Sequence, residues 1–365
     1  LIRPYLSGLS LRVILVVGLV LAIIFRIMIR AHLFSILFFA LFLLFFDLSR
    51  IKSKRYLYVL PLIAIPWVNM HSGIIFGLGF LFLAALEDLV VKLHHQHYRL
   101  DKLWQEKFLQ SYFLAGGLIF LATMLNPMGF HYITHTVSHL GINKLIPISE
   151  YQSIFKMSFG MLYYYILGFT VLALVIIKLV LRRGILRYDL PAIIFLLFSI
   201  KYNRVIPYFS LVATLQVACA VFNLWPSMTS IKLLNKPAFK LFLGLLLILT
   251  TVFSTGSSRY FPNIKEFGVG INHFNLPVNA VSFLKENPID GNMYNRYFWG
   301  GYLIWNFYPG GRVFVDGRIP AYPPHFVKTI QTITRNPSAF KSVDQFYDFQ
   351  YLIFSEGYLQ WELNE

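Results

Sequence analysis

The stretch DLPAIIFLLFSIKYNRVIPYFSLVATLQVACAVFNL, residues 189–224, decides how this chain folds. Two apolar runs, 189–203 and 205–224, meet with almost no loop, and the polar group at their junction is Lys201-Tyr202-Asn203-Arg204. An apolar run of about 20 residues spans the hydrocarbon core as a helix, and about 17 suffice when its ends snorkel. So short a turn keeps Lys201 and Arg204 near membrane depth, where ionisable groups are costly and mark functional positions by default.

The same pattern repeats outward from this stretch. Runs at roughly 10–26, 33–46, 57–70, 73–91, 109–125, 159–181, 189–203, 205–224 and 239–255 predict nine spans, the second and seventh of them short. Composition agrees: 57% of the 365 residues are hydrophobic and 13% charged, about half the charged share of a soluble domain. Mean hydropathy is +0.62. The expected fold is an α-helical polytopic membrane protein over 1–256, followed by a small α/β domain over 257–365.

A net charge of +16 would point to nucleic acid in a soluble protein. Here Lys and Arg gather in loops beside the spans, where they mark the cytoplasmic side and attract anionic head groups. No basic stripe with interleaved aromatics lies outside those loops, so nucleic acid is not an expected partner. The single cysteine, Cys219, excludes an internal disulfide. Asn336-Pro337-Ser338 has the proline that blocks glycosylation. There is no solenoid-period repeat and no matched pair of Gly- or Pro-broken spans of the transporter kind. The chain begins with Leu1 and shows no separable signal peptide, so a preceding stretch is expected.

Orientation follows from charge. Loops 50–55, 92–107, 178–187 and 232–240 carry fifteen Lys and Arg, including Arg50 and Lys178; the intervening loops carry six, Arg26, Arg30, Lys144, Lys156, Lys201 and Arg204. The first set is expected in the cytoplasm, which delivers the C-terminal segment to the outer side. In that segment, turn residues return. Helices are predicted at Pro277–Asn287 and His325–Thr334, strands at Met293-Tyr294, Arg312–Asp316 and Tyr351–Phe354, and a helical or extended piece at Tyr297–Trp305. Strands alternating with helices suggest an α/β domain.

The outer loops hold the candidates for chemistry. Asn69-Met70-His71-Ser72-Gly73 joins two spans with almost no loop; a His there can bind phosphate or move protons, or it can cap a helix end. Asn126-Pro127 ends a span. His131, His135 and His139 follow at i, i+4, i+8 on one helical face. They form a weak divalent-metal candidate that lacks a nearby carboxylate, and an interfacial amphipathic helix is the alternative. Glu150 is the only acidic residue in the outer membrane loops, suited to a base, a metal ligand or an ion pair with Lys201 or Arg204. Arg26, Arg30, Lys201 and Arg204 form a basic set suited to phosphate, since Arg binds it bidentately and Lys adds a point charge. Snorkelling to ordinary head groups is the alternative. His94-His95-Gln96-His97 reads as a solvated loop.

Several stretches resemble a group of prokaryotic membrane proteins. They are Arg30-Ala31-His32-Leu33-Phe34-Ser35, Trp67-Val68-Asn69-Met70-His71-Ser72-Gly73, Leu125-Asn126-Pro127-Met128-Gly129, Ile148-Ser149-Glu150-Tyr151-Gln152 and Asn203-Arg204-Val205-Ile206-Pro207. Phe298-Trp299-Gly300-Gly301-Tyr302-Leu303-Ile304-Trp305 and Val313-Phe314-Val315-Asp316-Gly317-Arg318 complete the set. The group is similar to the GT-C superfamily of polyprenyl-phosphate-sugar glycosyltransferases, the class of protein mannosyltransferases and lipid A aminoarabinose transferases. The resemblance implies transfer of a sugar from a lipid phosphate carrier to an acceptor on the outer face, with inversion. It implies that Arg26, Arg30, Lys201 and Arg204 hold the carrier phosphate, with His71 and Glu150 on the acceptor side and as candidate catalytic groups. Asn69 and Asn126 join the substrate-binding set. The catalytic carboxylate of such enzymes lies in the first outer loop; residues 26–32 contain none, so no base is carried over.

Asp316-Gly317-Arg318 can grip an acceptor, or form a turn with an internal salt bridge. Trp299, Tyr302 and Trp305 can stack on sugar or pack the domain against the membrane. The reading from another class is a non-catalytic or transport protein that binds lipid head groups or a solute at the same outer cluster. The sequence assigns no definite cofactor, and a divalent metal ion is the one candidate.

Overall fold

The computed structural model describes residues 2, 4–6, 9–23, 26, 30–96, 107–132, 134, 153–156, 162–182, 184, 187–226, 236–238, 241, 244–245, 271, 276–318, 322–334 and 336–355. They form two compact units, one of apolar helices and one whose described residues are Ile271 and those from Leu276 onward. The boundary expected at 256/257 lies outside the described residues.

The helical unit contains α1 (Leu9–Ile23), α2 (His32–Ile51), α3 (Leu60–Met70), α4 (Ile74–Gln96), α5 (Lys107–Ala122), α6 (Leu162–Val180), α7 (Asp189–Lys201) and α8 (Ile206–Leu224). These helices fall on the first eight predicted runs. The ninth run, 239–255, lies almost wholly outside the described residues. Among the described residues, four helical stretches are long and apolar enough to cross a membrane: His32–Ile51, Ile74–Leu93, Leu162–Val180 and Asn203–Leu224. With α3 at 11 residues and α7 at 13, the helices do not carry a count of nine crossings.

The centre of the bundle is α8. Every residue from Ile206 to Ala220 is buried, and the helix packs against α1, α2, α6 and α7. A helix apolar on all sides belongs inside a bundle. Its Thr214 hydroxyl donates to the Ser210 carbonyl one turn back, 2.7 Å, so that polar atom costs little in the interior. The outer helices instead expose large apolar side chains, among them Leu37, Phe82, Phe113, Phe169 and Leu179. Such continuous apolar exposure suits a lipid environment.

One boundary differs from expectation for a physical reason. The second span, predicted to end at 46, continues through Asp47 and Arg50 to Ile51. Both ionisable side chains find partners inside the bundle, so neither ends the helix. Arg50 and Lys178, read above as loop cations, are helical instead; Lys178 is buried in α6.

The second unit contains α9 (Val278–Glu286), β1 (Asn292–Asn295), α10 (Gly300–Phe307), α11 (Pro324–Ile333), α12 (Pro337–Tyr347) and β2 (Phe349–Ile353). The two strands pair in parallel, Tyr294 opposite Leu352. Alternation along β1 sends Met293 into a cluster with Val281, Trp299 and Leu303, and Tyr294 into one with Phe314, Val327, Ile333 and Phe340. Helices therefore cover both faces, as parallel strands require.

The strand expected at Arg312–Asp316 is reduced to one parallel bridge, Val313 to Met293. The Asn295 side chain takes over the ladder. Its Oδ1 accepts from the backbone N–H of Phe314 (2.9 Å) and Val315 (3.3 Å), and its Nδ2 donates to the Val315 carbonyl (2.7 Å).

Candidate functional site

The site is built at the end of the bundle where α2, α4 and α8 begin and α3 and α7 finish. Pro66 and Pro61 do not stop α3, which runs to Met70. His71 is extended, and Gly73 then approaches α2 closely. A Cβ at Gly73 would lie 2.2 Å from Ser35 Oγ and 2.9 Å from Tyr208 Oη. Only glycine fits there, so the α3–α4 turn is pressed onto the first turn of α2 and the start of α8.

That packing orders His71. Trp67 Nε1 donates to Ser35 Oγ at 2.8 Å, and Ser35 Oγ lies 2.7 Å from His71 Nδ1. On the other side of the ring, Arg204 Nη2 lies 3.0 Å from Nε2 and 3.5 Å from Ser72 Oγ. A guanidinium only donates, so Nε2 must accept, which assigns the ring proton to Nδ1, facing Ser35. The Gly73 backbone N–H also lies 3.2 Å from Nδ1. The charge-assisted bond from Arg204 outweighs that longer neutral contact. With Ser35 fully buried against Gly73, this pair is not arranged as a nucleophile with its base.

The other expected residues among those described lie at helix ends and turns on this side of the bundle, and several contact other groups. Asn69 Nδ2 donates to the carbonyls of Ile65 and Leu125, both 2.8 Å, and so ties α3 to the end of α5. Asn126 closes that turn: its Nδ2 donates to the Thr123 carbonyl (2.5 Å) and its Oδ1 accepts from Met128 N–H (2.8 Å). Both asparagines thus act on backbone, as helix-end caps do. Arg26 is buried and its carbonyl meets His32 Nε2 at 2.7 Å, while Arg30 is exposed. Lys201 is exposed at the end of α7, its ammonium 5.3 Å from the Tyr202 ring centre. His131 is exposed; His135, His139 and Glu150 lie outside the described residues. Among the described residues no three His, Cys, Asp or Glu side chains gather to hold a metal ion.

At the opposite end, the structure brings together acidic groups that the sequence reading passed over. Asp47 Oδ1 accepts from the hydroxyls of Tyr5 (2.6 Å) and Tyr188. Glu87, on α4, accepts from the backbone N–H of Tyr188 (2.8 Å) and Leu190 (2.9 Å). It thereby caps the N-terminus of α7 from another helix, at a point where Tyr188 sits at φ +71°. Asp189 pairs with Lys178 and accepts from Gln216 Nε2 at 2.9 Å. Arg50 pairs with Asp88 at 2.7 Å and lies over the rings of Phe46 and Tyr188, while Tyr112 donates to Asp88 at 2.7 Å. The signal was legible: Asp47, Glu87, Asp88 and Lys178 interrupt apolar runs, and ionisable groups there need partners.

In the second unit, Asp316 and Arg318 form the salt bridge internal to a turn. Asp316 accepts from the Arg318 backbone N–H (2.8 Å), Nε (3.0 Å) and Nη2 (2.5 Å). Burial pushes the Asp316 carboxyl up, but the bonds from Arg318 win and hold it below the ordinary carboxylate value. Gly300 fits against this turn, since a Cβ there would lie 2.3 Å from the Val315 carbonyl and 2.7 Å from Asp316 Cβ. Of the three aromatics singled out, Trp299 is buried, Tyr302 half-buried and Trp305 exposed.

The chain matches no protein-family model and no curated protein.

Proposed function

We propose that this protein is a membrane glycosyltransferase that moves a sugar from a polyprenyl-phosphate carrier to an acceptor on the outer face. The observation that carries the reading is the Arg204–His71 contact at a turn between membrane helices. It holds a guanidinium, a phosphate-binding group, at the end of an apolar bundle where the chain segments carrying Arg26, Arg30 and Lys201 also lie. Lys52, Lys54 and Arg55 lie exposed at the other end, and by the charge rule that end faces the cytoplasm.

In this reaction an acceptor hydroxyl attacks the anomeric carbon, the carbon–oxygen bond to the carrier breaks, and the carrier phosphate leaves with the electron pair. Arg204 binds the phosphate and stabilises its growing charge. His71 does not move the proton: its Nε2 is occupied by Arg204, and its role is to aim that guanidinium, with Ser35 and Trp67 locking the ring. Glu150 remains the candidate base.

A second reading, a binding protein for head groups or an anionic solute without chemistry, is favoured by one observation. Every described carboxylate of the bundle, Asp47, Glu87, Asp88 and Asp189, belongs to the opposite end.

The two readings separate in an assay for carrier phosphate released from a radiolabelled polyprenyl-phosphate sugar. Transfer predicts release that falls about a hundredfold in Arg204→Ala. Unchanged release in that variant removes Arg204 from the site, and no release from the unaltered protein leaves the binding reading.

A further inference from the structure

The second unit carries an aromatic stripe that faces outward. Phe298, Trp305 and Tyr308 are 54%, 72% and 79% exposed. With Gly301 they follow one another at helical spacing, three, four and three residues apart, along the turn at Tyr297–Trp299 and the helix α10 that continues it. The opposite side of the same segment is the ordinary one: Trp299 and Leu303 are buried with Val281 and Met293. The helix therefore has an apolar side in the core and a second, aromatic side that its own unit does not cover. Gly301 leaves a shallow gap in the middle of the stripe, since nothing lies within 4 Å of where its Cβ would be. Arg312 is exposed just beyond Tyr308, and Lys285 reaches α10 by donating to Asn306 at 2.9 Å.

We infer that this stripe seats in the head-group region of the lipid bilayer that the chain's own helices enter. Residue type narrows the occupant. Aromatic rings with Arg also mark protein-docking faces; the presence of helices apolar enough to enter a bilayer in the same chain decides for the lipid. Here the exposed groups are Phe, Trp and Tyr with flanking Lys and Arg, the set enriched where hydrocarbon meets head groups. The indole N–H and phenol hydroxyl serve the wet side and the rings the apolar side, and the two cations match anionic lipid phosphates. A sugar-stacking platform would add amides or carboxylates beside the rings to bind hydroxyls. The amide on this helix, Asn306, is engaged by Lys285 and by the Tyr302 carbonyl at 2.9 Å. The inference does not depend on the transfer reaction.

The test uses the full chain in liposomes of phosphatidylethanolamine and phosphatidylglycerol. Cys219, the single cysteine, is replaced by Ala, and one new cysteine is placed at Gly301 (Gly301→Cys) or, as reference, at exposed Ser342 on α12 (Ser342→Cys). Each is labelled with an environment-sensitive fluorophore. The expected result is emission shifted to the blue at position 301, at least twofold stronger quenching there by spin-labelled lipid than at 342, and loss of that difference in Trp305→Ala/Tyr308→Ala. Equal lipid quenching at the two positions overturns the inference. So does a blue shift at 301 that appears only on adding a soluble oligosaccharide. If Gly301→Cys disturbs the helix, the same comparison is read from Phe298→Cys.

Discussion

The two ends of the helical bundle solve the problem of buried polarity in opposite ways. At the Asp47 end, acid meets base or several donors: Asp189 with Lys178 and Gln216, Asp88 with Arg50 and Tyr112, Glu87 with two backbone N–H groups. At the Arg204 end, the described partners of the guanidinium are neutral, an imidazole and a hydroxyl. Ser35 and Asp47 lie on the same helix, 12 residues and hence about 18 Å apart, so one element serves both arrangements. Charge pairs and trans caps stitch α2, α4, α6 and α7 together. The imidazole and the hydroxyl fix where that guanidinium points. The first arrangement ties helices together; the second, under the function proposed above, aims a guanidinium at a phosphate.

That contrast can be broken most sharply at Asp189. Asp189→Ala leaves the Lys178 ammonium buried without its partner, and the expected loss is about 3–5 kcal/mol, read from the unfolding midpoint in detergent micelles. A second change, Lys178→Met, should recover much of it; no loss in the single variant would mean that the pair does not hold the fold. Next in size is Glu87→Ala, which removes two charge-assisted bonds from the start of α7, with an expected loss of about 2–3 kcal/mol. Glu87→Gln keeps one acceptor oxygen and should cost about half as much by the same measurement.

The smallest effect belongs to the pair in the second unit, a buried Asp316 with a solvent-exposed Arg318, which shows what solvent on one partner does to the same chemistry. The folded Asp316 carboxyl titrates below its ordinary value. Its contribution is therefore fully present above the unfolded value, about 4, and is lost as pH falls through the lower folded one. Because Arg318 is exposed, the loss should stay under about 1 kcal/mol. Amide hydrogen exchange of residues 292–295 between pH 5 and pH 3 reads it, and Arg318→Ala should abolish the difference.

Much of the fold was legible in the sequence because apolar runs report helices directly. The Asp47 end was legible only as a signal: its acids interrupt apolar runs, but they drew no reading, and Arg50 and Lys178 counted as loop cations. Asp47 and Arg50 appeared to end a span, yet their partners come from Tyr5, Tyr188 and Asp88, which sequence spacing does not bring together. The helix α12 went unread although Asn336-Pro337 announces it. The Asn336 side chain accepts from Ser338 and Ala339 N–H, and Pro337 occupies the first helical turn. At the candidate site, His71 and Arg204 were singled out from their place between spans, whereas the supporting Ser35 and Trp67 were hidden in apolar runs. Their role depends on Gly73 bringing two helices into contact, a long-range fact.

The most direct measurement is where a lipid phosphate binds. A photoactivatable polyprenyl phosphate, cross-linked to the full chain in native membranes and mapped by mass spectrometry, is expected to label residues 69–73 and 201–205. Arg204→Ala should lose that labelling. Equal labelling around Asp47, Glu87 and Arg50, or labelling at 69–73 that persists unchanged in Arg204→Ala, would contradict the division of labour between the two ends.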